Sequence, residues 1–184
     1  LSPEETLTIY LNTLKSMNTE QMGNYLGIES LLNTSDSDKN SIASALVEQV
    51  HQNFDFKITN CEEQGYTATV STTITTFDST SILNTFSQEQ DAYLSSADAV
   101  IDGSEKRYQK SLEMLLNDIK NNTANITSTA DFHLTNDGVS WKLDDSNTTI
   151  GNAIFGTLSN SPVSEETEDA DSSEDDSYAE ESED

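Results

Sequence analysis

Two residues suited to acid–base chemistry, Asp131 and His133, stand two apart in the stretch STADFHLTN. A carboxylate beside an imidazole can move protons at neutral pH, because histidine titrates in that range and the carboxylate steadies its cation. On extended backbone a spacing of two sends both side chains to the same side. Thr127, Thr129 and Thr135 share that side, whereas Ile126, Ala130, Phe132 and Leu134 take the other. The dyad is therefore expected on the wet face of a strand, as surface decoration.

Other reactive side chains are few. Cys61 is the single cysteine, so no intrachain disulfide forms, and it reads as a semi-buried thiol near a strand end. With His51 and His133 as the only histidines, no Cys–His set for zinc exists, and no metal site is expected. His51 follows Val50 near a helix end, where a cation suits the helix dipole, which is a structural role. The acidic neighbours Glu62–Glu63 and Asp144–Asp145 lack the oxygen-ligand spacing of a calcium loop. The chain has no glycine-rich phosphate loop, no Gly-x-Ser-x-Gly elbow and no His-Glu-x-x-His helix. No cofactor is expected.

The elements that position these residues follow from periodicity. SPEETLTIYLNTLKSM opens a helix: Ser2 caps, Pro3 suits the first turn, Glu5 completes a capping box, and Leu7, Tyr10, Leu11, Leu14 and Met17 form one stripe. A second short helix begins at Asn18 with Gln21 as its reciprocal cap and offers Met22, Tyr25 and Leu26, loosening at Gly27. After the polar NTSDSDKN, a third helix carries Ile42, Leu46 and Val50. The period then drops to two at Phe54, Phe56 and Ile58, CEEQG reads as a turn, and GYTATVSTTITTFD is a second strand. Its comb of Thr67, Thr69, Ser71, Thr73 and Thr75 is most simply the outer side of a sheet. A flat hydroxyl array for ice or carbohydrate would repeat on successive strands, and the third strand interrupts it with Asp131 and His133.

A helical insertion runs from about Ser79 to Asn121. Its first stripe is Ile82, Phe86, Tyr93, Leu94, Ala97 and Ile101; its second is Tyr108, Leu112, Leu115, Leu116 and Ile119; DGS at residues 102–104 is a possible break. TNDG then makes a hairpin turn. Val139, Trp141 and Leu143 supply a fourth strand, and NTTIGNAIFGTL a closing helix with Ile150, Ile154 and Phe155.

Charge excludes several partners. The 34 acidic and 8 basic residues give a formal charge of −26. Twelve of the acidic residues and no Lys or Arg lie from Ser164 onward, leaving 22 against 8, a formal −14, in the remainder. The segment has little to bury and is expected to be a disordered acidic tail over residues 159–184, following one domain over residues 1–158. A chain of this sign disfavours nucleic acid and anionic lipid. Lys106, Arg107 and Lys110, the densest basic group, read as a solvated helix face with local ion pairs. No apolar run reaches the ~20 residues of a membrane span. The start at Leu1 suggests a leader or anchor upstream.

The opening SPEETLTIYLNTLKSMN and the closing NDGVSWKLDDSNTTIGNAIFGTL resemble a group of uncharacterised surface lipoproteins of Gram-positive bacteria. The resemblance spans roughly Ser2 to Leu158 and implies a nuclear transport factor 2-like (cystatin-like) fold. The expected class is α+β: N-terminal helices packed on a curved four-stranded antiparallel sheet, with a helical insertion between the two hairpins. It also implies an exported domain, tethered to the membrane only through a lipidated cysteine preceding Leu1. The acidic tail is not part of that pattern.

Enzymes on such a fold keep an acid–base residue between sheet and helices. The inward phase of the strands is read as Phe54, Phe56, Ile58, Tyr66, Ala68, Val70, Thr72, Ile74, Ile126, Ser128, Ala130, Phe132, Leu134, Val139, Trp141 and Leu143, with no Asp, Glu, His or Lys. The expectation is a non-enzymatic binding or scaffold domain of the cell envelope, its partner a small apolar ligand or an envelope protein. Tyr10, Tyr66, Phe132 and Trp141 are the candidate pocket residues. One alternative is a hydrolase or isomerase using a helix-borne carboxylate such as Glu48 or Asp98. Another is an acidic chaperone-like protein whose tail binds basic partners.

Overall fold

A computed structural model describes residues 1–18, 20–22, 37–144, 146–155 and 158. The expected α+β class holds: helices pack against a four-stranded antiparallel sheet. Helix α1 spans Pro3–Lys15, and its capping box is formed, with Ser2 and Glu5 bonding reciprocally. Asn18 and Gln21 repeat the device, which places Met22 in the core. The expectations at Tyr25, Leu26 and Gly27, and the acidic tail, lie outside the described residues. Helix α2 (Ser37–Asn53) buries Ile42, Leu46 and Val50 on one side.

Strands β1 (Asp55–Gln64) and β2 (Thr67–Phe77) form the first hairpin. Helices α3 (Ser79–Leu94) and α4 (Ala97–Asn121) form the insertion. Strands β3 (Asn125–Asn136) and β4 (Trp141–Leu143) form the second hairpin, and α5 (Ser146–Phe155) closes the described fold. The strands lie in the order β1-β2-β3-β4. Every second residue of β2 from Ala68 to Thr76 is buried, and on β3 so are Ala130, Phe132 and Leu134. The helix stripes fill the space against them. Leu7, Leu11, Leu14, Leu112, Ile119, Ile150 and Phe155 are all sealed, and the rings of Phe77 and Phe155 meet at 6.0 Å. The Thr comb faces away, and its five hydroxyl residues are half-buried or exposed.

Several boundaries differ from expectation, each for a local reason. The register of β1 on β2 shifts between Ile58 and Asn60, so one extra residue, Thr59, bulges. The phase flips there, Cys61 falls opposite Val70, and pairing continues to Gln64. CEEQ is therefore strand, and the reversal is left to Gly65 and Tyr66, with Gly65 at φ 63°. Tyr66, expected inward, sits on this hairpin tip with 70% of its surface exposed.

The second hairpin turns where Asp-Gly predicts, with Gly138 at φ 95°. Asp137 Oδ1 accepts from the Val139 and Ser140 amides, which holds these residues in the turn and shortens β4. Val139, expected inward, is consequently exposed, as are Ser128 and Ile126, where the helices do not cover the start of β3. In the insertion the helices part at Ser95–Ser96, and Ser96 caps α4. Gly103, within the expected DGS break, is a kink inside α4 at φ 78° and ψ 171°. Ile101 and Leu94, assigned to the first apolar stripe, lie beyond the core and are exposed.

Candidate functional site

The four residues proposed from sequence as a pocket differ widely in exposure. Phe132 is sealed in the core, Tyr10 and Trp141 pack half-buried against it, and Tyr66 stands on the exposed tip. Two surface clefts are found elsewhere. One, of about 450 Å³, lies along α2 and α4 and is lined by Asn40, Ser44, Glu48, Gln52 and Lys120 among others. The other, of about 530 Å³, is bordered by Ser2, Glu4, Ile9 and Ile58.

The Asp131–His133 dyad is exposed on the outer face, as its phase requires. Register places His133 opposite Thr69, and the Thr69 hydroxyl lies 3.2 Å from His133 Nδ1. The imidazole is thus engaged across the strands. His51 takes its structural place, with Nε2 2.8 Å from the Met17 carbonyl, tying the end of α2 to the chain after α1. Burial pushes the Cys61 thiol up, and the nearby Glu4 carboxylate adds to the effect. A thiol so held is poorly nucleophilic.

The helix-borne carboxylates named from sequence are both exposed, and Glu48 accepts a 2.9 Å bond from the Gln52 amide. A different carboxylate proves to be perturbed. Asp118 on α4 is half-buried, its Oδ2 is sealed from water without a donor, and Glu89 of α3 is its charged neighbour. Neither carboxylate can donate a hydrogen bond unless one carries a proton. Burial first, and then the hydrogen bond and charge of Glu89, raise Asp118 to about 7. This is a proton-holding site of the kind found in acid–base catalysis, but also in purely structural carboxyl pairs. Sequence reasoning passed over it. The available signal was that Glu89 and Asp118 each follow an apolar stripe residue, Phe86 and Leu115, by one helical turn.

Two members of the basic trio, Arg107 and Lys110, reach back across the kink at Gly103. Asp102 Oδ2 accepts from Lys110 Nζ at 2.5 Å and from the Tyr93 hydroxyl at 2.7 Å, while Arg107 donates to the Ala99 carbonyl at 2.8 Å. The Lys110 bond, followed by that of Tyr93, holds the Asp102 carboxyl below its usual range. The Lys110–Asp102 contact is a local ion pair of the expected kind. Among the described residues no cluster of three or more His, Cys, Asp or Glu is placed to hold a metal, and no helix is long and apolar enough to cross a membrane.

No family model matches the chain, and no curated protein matches it. Among solved structures it is similar to ycdA of Bacillus subtilis, described as a candidate lipoprotein, with a TM-score of 0.49 and 15% identity. That match covers 84% of this chain, which spans 47% of the length of the other.

Proposed function

We propose that this chain is a non-enzymatic, exported binding or scaffold domain of the cell envelope. The observation that carries this reading is the composition of the inner sheet face. From Ala68 to Thr76 on β2 and from Ala130 to Leu134 on β3, the buried positions are apolar except for two hydroxyls, Thr72 and Thr76. A proton-transferring group there would have the low dielectric that catalysis exploits, and none of these positions supplies one. Export and lipid anchoring rest on the resemblance of the opening and closing segments to surface lipoproteins. In the natural precursor, fatty-acid labelling together with loss of the domain on protease treatment of intact cells is the expected result. Labelling that fails, with the domain protected inside cells, overturns it.

One observation favours the alternative of a hydrolase or isomerase with a helix-borne carboxylate: Asp118 has a sealed Oδ2 beside Glu89, and burial with that neighbour raises its pKa to about 7. The two readings separate on turnover. A screen of activated esters and enolisable ketones is expected to show none above buffer. Turnover that rises with a pH midpoint near that of Asp118 and disappears in Asp118→Asn would replace the binding reading with the enzyme.

A further inference from the structure

The backbone of β3 has one side paired along its length with β2, and on the other side only its C-terminal end is paired among the described residues. At its two ends the Ala124 carbonyl accepts from Asp78 and the Asn136 amide donates to Tyr66, so its even-numbered residues address β2. The odd-numbered ones address the other side, where the Asp144 amide donates to the His133 carbonyl at 2.8 Å. The β4 ladder reaches only Leu134, Thr135 and Asn136. The N–H and C=O groups of Thr127, Thr129 and Asp131 therefore face outward with no strand of the described residues beside them, and all three residues are exposed.

Proteins ordinarily blunt such an edge with a lysine, a proline or a bulge. The opposite edge strand is blunted in this way: β1 carries Lys57 and the bulge at Thr59. Over residues 125–135 β3 carries no lysine, proline or bulge, its one charged edge residue is Asp131, and its register on β2 runs unbroken through eleven pairs. Ile126, on the inner side opposite the buried Thr76, is still 46% exposed, so the bare edge is flanked by uncovered apolar surface.

We propose that this edge takes up an extended, cationic segment of another protein as a fifth strand, antiparallel or parallel to β3. The inference rests on the binding-module reading and names the class of partner. Main-chain bonds to Thr127, Thr129 and Asp131 supply the affinity, as in strand addition generally. Side chains set the choice. One face of the incoming strand lies beside the Thr127–Thr129–Asp131 row, where Asp131 and a chain of formal charge −26 favour Lys or Arg. The other face lies beside Ile126 and Ser128, where an apolar residue covers the exposed side chain. The same charge opposes a second copy of this chain, which would bring like against like.

The test is titration of the folded chain with two acetylated peptides, one alternating Lys and Val, the other Glu and Val, read by amide shifts and hydrogen exchange. Expected is slowing of roughly tenfold or more at the amides of Thr127, Thr129 and Asp131 with the Lys peptide alone, weakened by salt. Thr129→Pro removes an N–H that no ladder uses, so it should leave the circular dichroism unchanged while weakening binding roughly tenfold. Asp131→Lys, which leaves the backbone alone, should invert the preference between the peptides. Protection confined to β1 or the helices, equal binding of both peptides, no protected amide at saturating peptide, or sedimentation showing two copies joined through β3 each overturns the inference. Those outcomes leave the binding-module reading standing, since that falls on turnover lost in Asp118→Asn.

Discussion

The sheet and the α3–α4 insertion solve the problem of burial differently. Inside the sheet, Ala68, Val70, Ile74, Phe132 and Leu134 form a dry face in which the only polar atoms are the hydroxyls of Thr72 and Thr76. The insertion instead ties itself with polar groups: Gln90 to Ser111, Tyr93 and Lys110 to Asp102, Glu89 beside Asp118. It also tolerates Val100 and Ile101 at 79% and 80% exposure and a kink at Gly103. The difference follows from periodicity. A strand inside a sheet commits every second side chain to one face, so a polar intruder there has nowhere to turn. A helix presents a stripe with margins, and the margins can carry carboxylates at modest cost.

The largest effect expected from this contrast is in the sheet. Phe132→Ala should lower unfolding stability by ~3–5 kcal/mol, whereas Ile101→Ala in the insertion should change it by less than ~0.5 kcal/mol. Urea midpoints for the two variants decide it, and comparable losses would erase the distinction. Next comes the kink. Gly103 occupies backbone space that other residues avoid, and an added Cβ there meets nothing within 4 Å. Gly103→Ala should therefore cost ~1–3 kcal/mol through backbone strain rather than collision.

The carboxyl pair between α3 and α4 should make stability fall as pH rises. An unfolded carboxyl titrates near about 3.9, while Asp118 in the folded chain titrates at about 7. Between these values the folded state binds the extra proton, so its advantage is complete below the lower value and is lost as pH rises through about 7. Asp118→Asn should then stabilise the protein at pH 8 and leave it unchanged at pH 4, as read from melting temperatures. A gain of equal size at both pH values would remove the proton from the account.

The smallest effect belongs to the β3–β4 turn. Backbone bonds from Ser140 and Val139, then the bond from Lys142, hold Asp137 at about 2. Its contribution is present above the ordinary carboxylate range and is lost as pH falls through about 2. Asp137→Asn should speed exchange at the Val139 and Ser140 amides at neutral pH while barely moving the global midpoint.

Much of the fold was legible from local chemistry. The Ser2–Glu5 and Asn18–Gln21 caps, the Asp-Gly turn and the alternation in β2 and β3 all appear where short-range rules put them. Tyr66 was misplaced because strand phase was carried into a two-residue turn, and Val139 because Asp137 drew two amides out of the expected ladder. The bulge at Thr59 has no signature in the FKITNCEEQ stretch, since it depends on what β2 offers opposite. Of the four proposed pocket residues, Phe132 is sealed as its phase implies, while the half-burial of Tyr10 and Trp141 depends on what packs over them.

The amino-acid order alone determined which side of β2 and of β3 from Ala130 to Leu134 is dry, where α1 starts, and the overwhelming negative charge, because these depend on neighbours a few residues away or on composition. Only the tertiary structure decided that Glu89 would meet Asp118, and that among the described residues β4 would pair with no more than the last residues of β3. Those outcomes turn on distances between segments remote in the chain, where packing and ladder length, rather than local periodicity, set the energy.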